Sequence, residues 1–192
     1  MKSIYEQIDS AVRNFFVEGI SLSGDDRSII TIDTAGMGLS IDQVREVMTL
    51  FYADHPICFF LDTRISYRYV SGSVLDFTLS CYENYKNSTT RNQQFEKIIK
   101  SLGKYVDYCK NAKTRFEYVS AVIFKMADDN VYAYDSNGVP ENSEWAHSIV
   151  GIMSPDYAGG VCESYVRSFQ FIMNYLGIPC ITVLGETEGK NK

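Results

Sequence analysis

The chain has 192 residues, of which 45% are apolar, and its formal net charge is −6 at pH 7. This length fits one or two domains, because domains of about 100–150 residues are the commonest size. An acidic chain repels nucleic-acid phosphates, so we expect no nucleic-acid partner. No run of about 18 consecutive apolar residues occurs, so we expect no membrane span.

The first part of the chain is predicted to fold as a small α/β region. Apolar residues recur at helical spacing over residues 4–16, which indicates an amphipathic helix and not a signal peptide. Ser40 is a candidate N-cap for a helix that Pro56 ends. Ser71 and Gly72 suit a tight hairpin. The predicted strands cover residues 28–33, 57–61, 66–70 and 73–81.

The rest of the chain is predicted to be mainly helical, with a boundary between the two parts near Tyr85. A polar connector over residues 82–92 leads into a long helix whose apolar stripe ends at Cys109. A second helix begins near Thr114, and its predicted inward residues are Phe116, Val119, Val122, Ile123 and Met126. Further predictions are a loop over residues 128–142, a helix over 141–152, a loop over 154–160, a helix over 162–176 and a strand over 180–184.

The five cysteines are expected to be free thiols. Their number is odd and no two form a C-x-x-C pair, which argues against a disulfide framework, a zinc cluster or a redox motif. No calcium-loop pattern occurs either, so we predict no metal and no cofactor. Cys58, Cys81, Cys109 and Cys180 fall in apolar patterns and are predicted to be packing residues.

The segment from Gly159 to Tyr165 reads G-G-V-C-E-S-Y and is the strongest indication of chemistry. A glycine pair lets the backbone bend sharply and approach a substrate closely. Cys162 follows at the start of a helix, where free N–H groups and the positive end of the helix dipole stabilise a thiolate. The same N–H groups can hold the oxyanion of a tetrahedral intermediate. This position makes Cys162 a candidate nucleophile, and because free cysteines are usually buried, a packing role is the alternative from the position alone.

These residues resemble the transglutaminase-like family, whose members are relatives of papain-type cysteine proteases. The family carries Gly-Val-Cys before an apolar helix that ends in Leu-Gly-Ile, followed by a strand and Gly. Ser164 departs from the pattern, because the family usually has Gly there. The likeness covers roughly residues 114–189. Its matching segments are N-V-Y-A-Y-D at 130–135, A-H-S at 146–148, G-V-C-E-S-Y at 160–165, L-G-I-P at 176–179 and T-V-L-G at 182–185.

The resemblance implies an α+β cysteine-proteinase fold in which the helix carrying Cys162 packs on an antiparallel sheet. It divides the chain into an N-terminal α/β region, residues 1–85, and a transglutaminase-like domain, residues 86–192. It also implies a Cys-His-Asp triad with Cys162 as the catalytic nucleophile. The family's histidine and aspartate are expected after Lys192, so the domain is expected to be incomplete and inactive as this fragment.

The activity that the resemblance implies is hydrolysis or acyl transfer at peptide or carboxamide bonds through a thioester on Cys162. The expected partner is a protein or peptide substrate. Resemblance to bacterial cell-surface members also implies an extracellular or cell-surface location, although no signal-peptide pattern supports it.

Three alternatives stay open. The first is a non-catalytic transglutaminase-like scaffold that serves as a protein or cell-wall binding module. In the second, residues 1–85 form an independent binding domain that presents the substrate. The third is a reversed dyad of His147 and Cys162, since chemistry does not fix chain order. Against it, we expect His147 to be a partly exposed helix residue near Trp145, and His55 to interact with the end of a helix dipole.

Overall fold

The computed structural model describes residues 2–21, 27–183 and 185. The chain is mixed α+β, as predicted, with a small antiparallel sheet in its first part and mainly helices after it. In chain order the elements are α1 (Lys2–Ser21), β1 (Ile29–Asp33), α2 (Ile41–Asp54), β2 (Leu61–Val70), β3 (Ser73–Cys81), a 3-10 turn (Glu83–Tyr85), α3 (Ser88–Tyr108), α4 (Arg115–Asp129), β4 (Val131–Tyr132), α5 (Glu144–His147), α6 (Val150–Met153), β5 (Gly159–Gly160) and α7 (Cys162–Tyr175).

β3 is the central strand of a three-stranded antiparallel sheet with the order β1-β3-β2. Ser71 and Gly72 form the turn between β2 and β3, and their φ angles are 48° and 88°. Positive φ at both central residues gives a tight turn that follows the natural twist of the strands. The predicted hairpin is therefore confirmed. Phe77 and Leu79 of β3 are fully buried and fix which face of the sheet meets the core.

α2 begins after Ser40 and ends before Pro56, as predicted. The Ser40 hydroxyl accepts a hydrogen bond from the Gln43 N–H, and the Gln43 side chain accepts one from the Ser40 N–H. This capping box satisfies two N–H groups that would otherwise lack a partner at the helix start. At the other end, the His55 N–H donates to the Phe51 carbonyl at 3.0 Å. α1 packs against both α2 and β1.

One hydrophobic core runs through both parts of the chain. Phe16 of α1 stacks on Phe60, with ring centroids 5.5 Å apart, and meets Phe95 of α3 edge-on at 5.2 Å. α3 packs against α4 and α6, while α7 packs against α4, α5 and α6. These contacts hold the start of α7 in a fixed place relative to the sheet. The division near Tyr85 stays a prediction.

Two predicted strands are wrong over the described residues. Residues 57–60 form turns, and β2 begins only at Leu61. The Leu61 N–H donates to the Cys58 carbonyl at 3.2 Å, so a turn hydrogen bond replaces a strand ladder, while burial explains why the run is apolar. Residues 180–183 also lack strand pairing, because the Asn174 side chain binds both the N–H and the carbonyl of Cys180. Leu184 lies outside the described residues.

Two helix boundaries are also wrong. The predicted helix over residues 141–152 is two short helices, α5 and α6. Ser148 separates them in an extended conformation, and its hydroxyl accepts a hydrogen bond from the Val150 N–H. The predicted connector over residues 82–92 already contains the start of α3, where the Asn87 side chain accepts from the Thr89 N–H.

The predicted inward face of α4 is partly wrong. Val122 and Met126 are buried as predicted, but Phe116 is 78% exposed and Ile123 is 51% exposed. Within the described part of the chain, α4 makes its main packing contacts with α3 and α7. Val122 and Met126 lie on that side and are buried, whereas Phe116 and Ile123 lie on a neighbouring stripe that faces outward.

Candidate active site

The backbones of β4 and β5 approach each other closely just before the candidate nucleophile Cys162. β5 pairs in parallel with β4, which sets Gly159 beside Val131. A Cβ atom at Gly159 would lie 1.7 Å from the Val131 carbonyl oxygen, and one at Gly160 would lie 2.5 Å from the Ser164 Cβ. No side chain larger than hydrogen fits at either position without movement of the backbone. The glycine pair is therefore required by packing just before Cys162.

Ser164 fills the space beside Gly160. Its side chain is fully buried, and its hydroxyl has no hydrogen-bond partner among the described residues. A Cβ atom at Gly151 would lie 2.9 Å from that hydroxyl oxygen. The serine therefore stands in a tight pocket beside the backbone of Gly151 and Gly160, so we expect a larger side chain at this position to require movement of its neighbours.

Cys162 is the first residue of α7, and its thiol is exposed. Val161 precedes it as the N-cap, has no side-chain hydrogen bond to the helix, and anchors the helix start because its N–H donates to the Ala146 carbonyl at 3.0 Å. The N–H groups of the first turn thus have no side-chain cap within the described part of the chain. Such uncapped N–H groups are a favourable place for an anionic oxygen or a thiolate.

The other four cysteines differ from Cys162 in exposure. Cys58, Cys81 and Cys109 are buried, and Cys180 is partly buried, which agrees with their predicted packing role. Burial raises the pKa of Cys58 to about 12 and that of Cys81 to about 11. It also raises the pKa of Cys109 and Cys180. These four thiols are disfavoured as nucleophiles because the thiolate is the reactive form.

Cys162 lines an open cleft of about 840 Å³ between α2, β2 and α7. Much of its wall is apolar and comes from Met48 and Tyr52 of α2 and from Ile65 and Tyr67 of β2. Tyr52 is fixed because its hydroxyl donates to the Asp62 carbonyl at 2.7 Å, and burial raises the pKa of that phenol. The cleft is large enough for a peptide segment next to the thiol.

Glu163 holds two basic side chains beside the cleft. The Arg167 guanidinium, one helical turn further along α7, donates to Glu163 Oε1 at 2.6 Å and 3.0 Å. On its other oxygen, Glu163 lies 3.1 Å from His147 Nδ1. Glu163 and Arg167 line both the Cys162 cleft and a neighbouring cleft of about 570 Å³, whereas His147 lines only the neighbouring one of these two.

The two histidines occupy distinct environments. His147 is partly exposed at the end of α5, as predicted, but it contacts Glu163, and Trp145 instead stacks on Tyr157 with centroids 4.3 Å apart. His55 lies at the end of α2, where its ring is 3.0 Å from the Phe51 carbonyl oxygen and, through Nε2, 3.0 Å from Asp9. His55 therefore fastens α1 to α2, and it lines neither of the two clefts that Glu163 and Arg167 border.

Sequence reasoning missed most of the cleft. The Glu163–Arg167 pair has the i, i+4 spacing that favours ion pairing on a helix, so the sequence contained a signal for it. Tyr52, Ile65 and Tyr67 also line the cleft, but they are distant from Cys162 along the chain, so no spacing in the sequence indicated that they would meet it.

In the described part of the chain, no group of three His, Cys, Asp or Glu side chains is arranged to bind a metal ion. None of the helices there combines the length and apolar character needed to cross a bilayer. Comparisons of the chain with protein-family models, with curated proteins and with solved structures find no match.

Proposed function

We propose that this protein is a transglutaminase-like cysteine enzyme that acts on peptide or carboxamide bonds through Cys162. The observation that carries the proposal is the position of Cys162, the one cysteine among the five that is exposed. It is the first residue of a 14-residue helix and lies beside a cleft of about 840 Å³. A helix start, an exposed thiol and a cleft for substrate are what nucleophilic acyl transfer needs.

The proposed reaction has two steps. The Cys162 sulfur attacks the carbonyl carbon of the substrate, the carbon–sulfur bond forms, and the carbon–nitrogen bond breaks. The leaving ammonia or amine takes the proton that the thiol gave up. Water or a second amine then attacks the thioester and returns the proton to sulfur, which gives hydrolysis or cross-linking respectively.

The charged residues next to Cys162 have supporting roles in this proposal. A carboxylate beside a thiolate opposes its formation, but Arg167 offsets the charge of Glu163 because the two are bonded at 2.6 Å. His147 binds the other oxygen of Glu163. We therefore assign Glu163 to fixing the helix start and its two basic neighbours, and not to proton transfer.

The test compares the protein with its Cys162→Ala variant. A glutamine dipeptide with a blocked N-terminus serves as acyl donor and hydroxylamine as acceptor, and hydroxamate and ammonia are measured. We expect both products from the parent and from a Cys180→Ala control, and neither from Cys162→Ala. Product formation by Cys162→Ala at the parental rate would contradict the proposal.

The alternative is a non-catalytic scaffold that binds protein or cell-wall peptide. One observation favours it: within the described residues the Cys162 thiol has no basic hydrogen-bond partner, and the His147 ring is bonded to Glu163. A scaffold has no need of an activated thiol. Alkylation of Cys162 at the rate of an ordinary cysteine would favour this alternative, and faster alkylation would exclude it.

A further inference from the structure

β2 is an edge strand of the sheet, and its outer side has no strand neighbour in the described part of the chain. An edge strand presents unpaired N–H and carbonyl groups that can pair with an additional strand. Most residues of β2 after Asp62 are exposed, and no strand of the described residues pairs with this edge. The register of the sheet identifies which residues of β2 direct their backbone groups outward.

The pairing of β1 with β3 fixes the direction of each backbone group in β3. The Cys81 N–H donates to the Ser28 carbonyl at 2.8 Å, on the β1 side, and the register continues along β1 without a shift. Backbone groups alternate between the two sides of an antiparallel strand. Phe77 and Leu79, like Cys81, therefore direct their N–H and carbonyl groups toward β1. Thr78 directs its own toward β2.

The same alternation carries over to β2. Ser66 pairs with Thr78, so these two residues face each other as a hydrogen-bonded pair. Ile65 and Tyr67 flank Ser66 and must direct their backbone groups the opposite way, toward the free edge. Both residues also line the cleft that contains Cys162. Unpaired backbone groups and the exposed thiol thus border the same space.

We propose that the free edge of β2 binds the substrate as an added strand, through the backbone groups of Ile65 and Tyr67, and so presents a carboxamide to Cys162. This inference rests on the proposed function and names its substrate class, an extended polypeptide segment. Pairing along a strand edge gives affinity through the main chain, and alternate side chains meet the pockets beside it. A folded helix or a free amino acid cannot make this pairing.

The cleft also sets a preference among extended segments. The wall beside Ile65 and Tyr67 includes Met48 and Val166, which are apolar. Alternate side chains of an added strand point to the same face. Every second residue of a preferred substrate is therefore apolar, and the residues between them can be polar.

The test uses a fluorescent octapeptide of alternating threonine and valine, with one central glutamine and a lysine at each end. Binding to the Cys162→Ala protein is measured by anisotropy, so that no reaction intervenes. Two N-methylated forms carry the methyl groups on one or the other alternate set of amides. We expect one form to lose affinity by at least about tenfold, since it loses backbone hydrogen bonds, and the other to bind like the parent.

A protein variant checks the same edge. Ile65→Pro removes the outward N–H, whereas Ile65→Ala removes the side chain and keeps that N–H. The proline variant is expected to bind the unmethylated peptide at least about tenfold more weakly than the alanine variant. Equal binding of the two methylated peptides, or no binding at about 1 mM, overturns the proposal even where Ile65→Pro fails to fold.

The alkylation rate of Cys162 distinguishes failure of the proposed enzyme from failure of strand pairing. Iodoacetamide needs no strand pairing, so its rate with Cys162 in the parent protein reports the thiol alone. If Cys162 is alkylated slowly and only one of the two methylated peptides loses affinity, the peptide binds as a strand but is not a substrate. The protein is then a strand-binding module. Fast alkylation together with equal binding of both methylated peptides overturns strand pairing and leaves the nucleophile.

Discussion

The imidazole Nδ1 of His147 lies 3.1 Å from a carboxylate oxygen of Glu163, the residue that directly follows Cys162. The other oxygen of Glu163 is bonded to Arg167. The side chain next to the candidate nucleophile therefore lies between a guanidinium and an imidazole, with one carboxylate oxygen bonded to each.

Replacing Glu163 with glutamine tests the effect of that charge. Removal of one negative charge at roughly 6 Å in water favours a thiolate by about 0.7 kcal/mol, which is about threefold in its population. We expect Glu163→Gln to raise the alkylation rate of Cys162 by about threefold at low salt. Glu96→Gln, on the exposed face of α3, is the control and leaves the rate unchanged. A slower reaction in Glu163→Gln would show that the carboxylate supports the thiolate.

Gly159, the residue of β5 that pairs with Val131, is expected to tolerate no side chain. Gly159→Ala would bring a Cβ atom to 1.7 Å from the Val131 carbonyl oxygen, so β4 and β5 must separate. We expect a loss of about 4 kcal/mol or more in the free energy of unfolding, measured by urea denaturation. Gly103→Ala is the matched control, because nothing lies within 4 Å of its added Cβ in α3. It is expected to stabilise the protein by up to about 1 kcal/mol. Similar effects of the two variants would contradict the close approach.

Asp62 is expected to make stability depend on pH. Hydrogen bonds from Arg64 lower the pKa of the Asp62 carboxyl, against the opposing effect of burial. A lowered pKa means that the ionised form favours the folded state. Its contribution is present above the ordinary aspartate value of about 3.9 and is lost as the pH falls through the folded-state pKa.

The matching experiment compares urea denaturation of the parent and of Asp62→Asn at about pH 7 and about pH 3. We expect Asp62→Asn to cost about 1 kcal/mol at the higher pH, since Arg64 is largely exposed, and less at the lower pH. Asp42→Asn, whose carboxylate is 92% exposed, serves as the control with little change at either pH. If the cost of Asp62→Asn instead grows as the pH falls, ionised Asp62 does not stabilise the folded state.

The local signals in the sequence predicted the local parts of the fold. Ser40 and the Ser71–Gly72 turn each act through neighbours within three residues, so their effects can be inferred without knowledge of the fold. The start of α7 at Cys162 likewise depends on nearby residues and could be predicted from the sequence. These features place the candidate nucleophile correctly at a helix start, and its exposure agrees with the predicted difference from the other cysteines.

Features that depend on distant contacts could not be inferred in this way. Phe116 and Ile123 satisfy the helical period as well as Val122 does, and only the positions of α3 and α7 decide which stripe is buried. Residues 57–60 are apolar because they are buried, although they form turns. The contact between His147 and Glu163 joins α5 and α7, which α6 and β5 separate along the chain, and it follows no spacing rule.

Whether Cys162 is a nucleophile is tested by the rate at which iodoacetamide alkylates it in the native protein at about pH 6, followed by peptide mapping. We expect Cys162 to react before the other four cysteines and at least about tenfold faster than an ordinary exposed thiol. This fast phase persists in Cys180→Ala and disappears in Cys162→Ala. Alkylation of Cys162 no faster than that of an ordinary thiol would contradict its role as a nucleophile.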